Sequence, residues 1–143
     1  RKRLHISPEY RTFRMRPDIP AGLAEQANVL IDTASPALFD MTYTTAADIY
    51  IGDVSSQVYE FLRQPKPCIF IDAAAQGRDA YQFWENGPVV RRAEEVVAQL
   101  DDWQALKQEY RPTQERLFRY TIDHDPELSA STRGAEALAD ILL

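Results

Sequence analysis

The sequence predicts an α/β protein in which parallel strands alternate with helices in a doubly wound sheet. The first observation lies between residues 49 and 62, where an apolar run of β-branched and aromatic residues (Ile49, Tyr50, Ile51) stops at Gly52-Asp53 and two serines follow. Val58, Tyr59, Phe61 and Leu62 then fall at helical spacing, so the stretch reads as strand, tight loop and helix. The second is the apolar run Pro67-Cys68-Ile69-Phe70-Ile71-Asp72, short enough for a buried strand. The third is Ala93, Val96, Val97 and Leu100, at i, i+3, i+4 and i+7 of an amphipathic helix. Strand, helix, strand and helix in this order imply parallel βαβ units.

Taken in order, Arg3–Ile6 reads as a short strand cut off by Ser7-Pro8. Residues 7–27 hold Pro8, Pro17 and Pro20 with little periodicity, which predicts a loop with a brief helical turn at 21–27. Val29, Leu30 and Ile31 predict a buried strand over 28–33, and Ser35-Pro36 supplies the cap and first-turn proline of a helix reaching Ala46. The unit at 49–62 and the strand at 67–72 come next. Gln76-Gly77-Arg78-Asp79 is a loop, and Tyr81, Phe83 and Trp84 form an aromatic group whose simplest use is packing. Helix is expected again at 103–111 and 112–120, and Ala135, Leu138, Ala139 and Leu142 mark a C-terminal helix. No internal repeat or low-complexity tract interrupts the pattern.

Composition places the chain among ordinary globular domains: 143 residues, 45% apolar and 27% charged, enough for one domain with a real core. The net charge of −6 is unevenly spread, because residues 1–16 hold six Arg or Lys against the single acid Glu9 and leave −11 for the rest. Such an acidic body lacks the broad phosphate neutralisation of a nucleic-acid binder. Its basic end suits a small phosphorylated ligand or an anionic membrane surface, and equally a solvated charged segment. The single cysteine, Cys68, excludes an internal disulfide and sits where a small core residue belongs. The chain begins with Arg1 and carries no signal-peptide pattern, which is expected of a fragment or a processed chain.

Chemistry concentrates between Asp53 and Glu60. A helix start preceded by Ser55-Ser56-Gln57 offers hydroxyls and unpaired N–H groups, and a phosphate or pyrophosphate fits them well. Serine is also the commonest helix cap, a purely structural use of the same residues. Glu60 in the first turn is a natural partner of the helix dipole. Asp123-His124-Asp125-Pro126 reads as a turn between helices, and no spacing of His, Cys or Asp supports a metal site.

The pattern Ala47-Asp48-Ile49-x-Ile51-x-Asp53-x-Ser55-Ser56, then Tyr59-Glu60 and Lys66-Pro67-Cys68-Ile69-Phe70, resembles the C-terminal domain of the CDP-glycerol glycerophosphotransferases. These enzymes polymerise teichoic acid and have relatives in capsule polysaccharide synthesis. Where this chain has Gly52, Val54 and Glu60, the family typically has Thr, Tyr and Asp. Arg3-Leu4-His5 is similar to the end of the strand that carries the family's histidine, although Ile6 replaces the proline that usually follows. Tyr81 to Gly87-Pro88-Val89 and Ser131-Thr132-Arg133 are similar to further family segments.

The resemblance implies a Rossmann-like parallel sheet flanked by helices, as in the C-terminal half of a GT-B glycosyltransferase, with the whole chain a single, incomplete donor-binding domain whose acceptor domain lies upstream. It implies that Ser55, Ser56 and Gln57 hold the diphosphate of a nucleotide donor, CDP-linked. Asp53 and Glu60 would support the loop or meet the donor's sugar or ribose hydroxyls, and His5 would serve the departing diphosphate or acid/base chemistry. The implied reaction moves glycerophosphate, or a related polyol-phosphate or sugar, onto a cell-envelope polymer with no cofactor, no metal and no nucleic acid. Its implied place is the cytoplasm, with peripheral association at the inner face of the membrane. Alternatives are a UDP-sugar glycosyltransferase or nucleotide-sugar epimerase on the same scaffold, and a non-catalytic nucleotide-binding or interaction module.

Overall fold

The computed structural model describes residues 4–7, 12–15, 18–122, 125 and 127–142. They belong to two units, residues 1–38 and 39–143.

In the first unit, β1 (Leu4–Ser7) pairs antiparallel with β2 (Thr12–Met15), His5 opposite Arg14. The sequence reading missed β2, since Thr12-Phe13-Arg14-Met15 alternates apolar and polar over only four residues beside a proline-rich stretch. The expected strand over 28–33 is not formed: none of these residues is in strand conformation within a sheet, and Leu30 is 76% exposed. Asp32 instead bends the chain, its carboxylate accepting the N–H groups of Ala34 and Ser35 at 3.0 and 2.9 Å and the Ser35 hydroxyl. The helical turn near Ala21 is present as a 3-10 turn, Ala21–Leu23.

The helix expected from Ser35 to Ala46 is broken. A 3-10 turn covers Pro36–Leu38, Met41 adopts a left-handed φ of 63°, and α1 (Thr42–Ala46) starts afresh. Asp40 causes the restart, since its carboxylate accepts the backbone N–H and the hydroxyl of Thr42 at 3.0 and 2.6 Å.

The second unit is α/β, with a small parallel sheet flanked by helices. Strands β3 (Tyr50–Gly52), β4 (Cys68–Ile71) and β5 (Val89–Val90) lie in that order, and Gly52, Phe70 and Val89 stand side by side. Only two residues of β5 are extended, which is why Pro88-Val89-Val90 gave no strand signal. Alternation along β4 sends Cys68 and Phe70 to one face and Ile69 to the other. On the first face they meet Val58, Phe61 and Leu62 around α2 (Val58–Phe61), with Trp84 from a 3-10 turn at Gln82–Asn86. On the second face Ile69 and Val90 meet Val96 of α3 (Ala93–Leu100) and Leu106 of α4 (Trp103–Ile122).

The two helices expected at 103–111 and 112–120 are one. Asp102 caps it through the Ala105 N–H at 3.1 Å, and Pro112 sits on the solvent side, where water can serve the carbonyl it leaves without an N–H partner. Buried contacts hold the helix on either side of the proline. Leu106 and Tyr110 join the second core cluster, while Phe118 packs on the first. Between them the fully buried Gln114 donates from Nε2 to the carbonyls of Lys66 and Asn86, at 2.9 and 2.8 Å. Those carbonyls lie just before β4 and β5, so α4 crosses the amino edge of the sheet. Gly87 permits the tight entry to β5, because a Cβ there would strike the Cys68 carbonyl. The C-terminal helix is present as α5 (Ala130–Leu142), with no buried residue. Among the described residues, no helix is long and apolar enough to cross a membrane.

Candidate functional site

With α4 across the amino edge, the opposite edge of the sheet collects the loops that follow β3, β4 and β5. Ligands of parallel sheets bind at this carboxyl edge, where backbone groups leave the ladder and helices begin. The loop after β3 contains Asp53, Ser55, Ser56 and Gln57. Ser55 is half-buried and the other three are exposed. The cap is not the serine that the sequence suggested: Gln57 occupies that place in a helical conformation and caps with no side-chain hydrogen bond. Ser55 lies two residues earlier, its Oγ accepting the Gln57 N–H at 3.3 Å in a local turn. The Ser56 side chain is therefore not committed to the helix cap.

Tyr50 is the residue that the sequence reading passed over. Its side chain hydrogen-bonds Ser55, and burial pushes the phenol above its ordinary value while that bond offsets part of the rise. The ring packs against Phe61 and Phe70, with centroids 5.7 and 6.0 Å away. Its hydroxyl end overhangs Gly52, where a Cβ would lie 2.5 Å from the oxygen. Gly52 thus serves close approach and not a left-handed turn; the only positive-φ glycine among the described residues is Gly77. Tyr50 and Gly52 share a face at i and i+2, and an aromatic two residues before a glycine was the available signal.

Trp84 fixes the same loop from the far side. It is 1% exposed, and its indole N–H donates to the Asp53 carbonyl at 3.0 Å. Tyr81 and Phe83 stack beside it, so the aromatic group packs, as its composition suggested. Next along the edge, Asp72 turns its carboxylate into its own loop, accepting the N–H groups of Gln76 and Gly77 at 2.9 and 2.8 Å. The Gly77 bond leads in holding its pKa below the usual value, with help from the Gln76 bond and the Arg91 charge. After β5, Glu95 accepts the Arg91 N–H at 3.0 Å and pairs with Arg92 at 2.8 Å, and the Arg91 bond leads in lowering its pKa.

Glu60 lies elsewhere on α2. It lines a cavity of about 200 Å3 with Thr45, Phe61, Arg63, Gln64 and Lys66, a set that includes none of Asp53, Ser55, Ser56 and Gln57. Lys66 is structural: its ammonium donates to the carbonyls of Ala47 and Thr45 at 2.6 and 3.2 Å and sits 5.1 Å from the Phe61 ring centre. Cys68 is buried as expected, and desolvation pushes its thiol pKa far up. His5 stands on β1 in the first unit, and the strand continues past it to Ser7; its side chain lies outside the described residues, as does His124. Asp125 turns the chain before α5, its carboxylate accepting the N–H groups of Glu127 and Leu128. Among the described residues, no group of three His, Cys, Asp or Glu could hold a metal ion. No protein-family model, curated protein or solved structure matches this chain.

Proposed function

We propose that the chain is the Rossmann-like, donor-binding part of a GT-B transferase similar to the CDP-glycerol glycerophosphotransferases. In this reading Ser55, Ser56 and Gln57 take the diphosphate of a CDP-activated donor. The reaction is transfer of glycerophosphate, or a related polyol-phosphate or sugar, to a cell-envelope polymer held by another domain. The observation that carries the reading is the place of the Asp53–Gln57 loop: it leaves a parallel strand at the carboxyl edge, braced by Tyr50 and Trp84, with Ser56 exposed beside the half-buried Ser55. A braced loop loses little freedom when a ligand settles on it, and amide and hydroxyl donors suit an anion.

The test is titration of the 143-residue chain with CDP, followed by amide chemical shifts and repeated with Ser55→Ala/Ser56→Ala. The shifts of Ser55, Ser56 and Gln57 should move first. Two hydrogen bonds to a charged group contribute about 1.5–3 kcal/mol each, so the double variant should bind CDP roughly 10²- to 10⁴-fold more weakly. Its folding should weaken by only about 1 kcal/mol, the scale of a lost local hydrogen bond. Unchanged CDP binding would overturn the assignment, and a preference for UDP would favour a sugar transferase on the same scaffold.

A further inference from the structure

We propose that the groove between the amino edge of the sheet and the first half of α4 binds an oligosaccharide that carries carboxylates. The inference is independent of the donor-site reading and concerns the opposite edge of the sheet. Two cavities make the groove. One, of about 480 Å3, is lined by Ile49, Pro65 and Pro67, just before β3 and β4, and by Trp103 and Lys107 of α4. The other, of about 410 Å3, shares Trp103 and Lys107 and runs on along the helix to Arg111. Ligand sites commonly have volumes of about 300–1,000 Å3. Trp103, Lys107 and Arg111 stand at i, i+4 and i+8, so they follow one face of α4 for about 12 Å. That is longer than one sugar ring, and the groove suits a chain better than a single ring.

The lining selects the ligand. Trp103 is 43% exposed, whereas Trp84, the other tryptophan of the chain, is 1% exposed. A lone exposed indole is ordinary surface, but this one lines both cavities, and the exposed amides of Gln64, Gln104 and Gln108 line them with it. A pyranose ring has the matching surfaces. Its C–H groups form an apolar face that stacks on an aromatic ring, and its hydroxyls both donate and accept, as carboxamides do. The exposed Asp48 adds an acceptor for hydroxyls. Charge settles the substituent. Within a chain of net charge −6, the groove holds Lys66, Lys107 and Arg111 against Asp48. The Lys66 ammonium is held by the Ala47 and Thr45 carbonyls, and Arg111 pairs with Glu115 at 2.8 Å. Lys107 lines both cavities and, among the described residues, makes no ion pair within 4.0 Å. It meets a carboxylate of the saccharide. A nucleic acid, which would also stack on the indole, needs broader phosphate neutralisation than this acidic body offers.

The experiment titrates the 143-residue chain with hyaluronan and oligogalacturonate hexasaccharides, with neutral cellohexaose and with hexaglutamate, by calorimetry and by tryptophan fluorescence under acrylamide quenching. At least one of the two acidic hexasaccharides should bind and shield Trp103 from acrylamide, a signal to which the buried Trp84 adds little. Trp103→Ala should weaken that binding roughly 10-fold or more, and Trp103→Phe, which keeps a ring, should retain most of it. Lys107→Gln should weaken it roughly 2- to 5-fold and flatten its salt dependence, the scale of an exposed charge pair. Arg119→Gln, which removes a cation of α4 outside the groove, should bind as wild type does. Failure of both acidic hexasaccharides to bind, binding without shielding of Trp103, or unchanged affinity in Trp103→Ala would overturn the proposal. Cellohexaose bound as tightly would overturn the role of Lys107 and the carboxylates, and hexaglutamate bound as tightly would show attraction by charge alone and overturn the saccharide. None of these results bears on CDP binding at Ser55 and Ser56, which is measured separately.

Discussion

Replacing Gln114 with Leu tests the clamp that closes the amino edge of the sheet. Gln114 is fully buried, and its one amide nitrogen serves the carbonyls of Lys66 and Asn86 at 2.9 and 2.8 Å. Leucine keeps most of the volume but donates nothing, so two carbonyls lose their donor at about 1–3 kcal/mol each. An opposing term comes from Gln114 itself, whose buried Oε1 has no partner among the described residues; deleting it returns about 1–3 kcal/mol. The net expectation is a loss of about 1–3 kcal/mol, a large share of the roughly 5–15 kcal/mol typical of a domain. Urea unfolding monitored by tryptophan fluorescence reads it directly, because Trp84 is in the adjoining core. Gln108→Leu, on the exposed side of the same helix, should shift stability by no more than about 0.5 kcal/mol. A Gln114→Leu chain as stable as wild type would refute the clamp and show that the two carbonyls find donors elsewhere.

Other outcomes follow from the same geometry. Gly52→Ala should drive the Tyr50 ring from its place at a cost of about 1 kcal/mol, the scale of a forced rotamer, and weaken CDP binding by freeing Ser55; equilibrium unfolding and titration measure the two effects separately. The pKa values of Asp40, Asp72 and Glu95 lie below their ordinary 3.8, 3.8 and 4.5, so the stability they contribute is complete above that range. It is lost as pH falls through the lower folded-state values, and urea midpoints should stay level near neutrality and drop in acid, less steeply for Asp72→Asn. Cys68 should resist thiol reagents in the native protein and react only when the sheet opens, so its labelling rate should rise with urea.

The amino-acid sequence by itself determined the α/β class, the strands at 50–52 and 68–71, the helix at 93–100, and the loop that presents Ser55 and Ser56. Each is written in local signals: β-branched runs ended by turn residues, or apolar spacing at helical period. It also placed Cys68 and Trp84 correctly as packing residues. It misread 28–33, because an apolar triplet becomes a strand only when a neighbour takes its hydrogen bonds, and among the described residues Leu30 has no such neighbour. The break at Met41 and the continuity of α4 through Pro112 were likewise decided beyond the local pattern, by the carboxylate of Asp40 in one case and by buried contacts on both sides of the proline in the other. The same holds for the site. Serines before a helix are legible in a chain, but Tyr50 bracing Ser55 and Trp84 holding the Asp53 carbonyl are relations between segments up to 31 residues apart. Strand register and the alternation of faces create those relations, and neither exists until the sheet has formed.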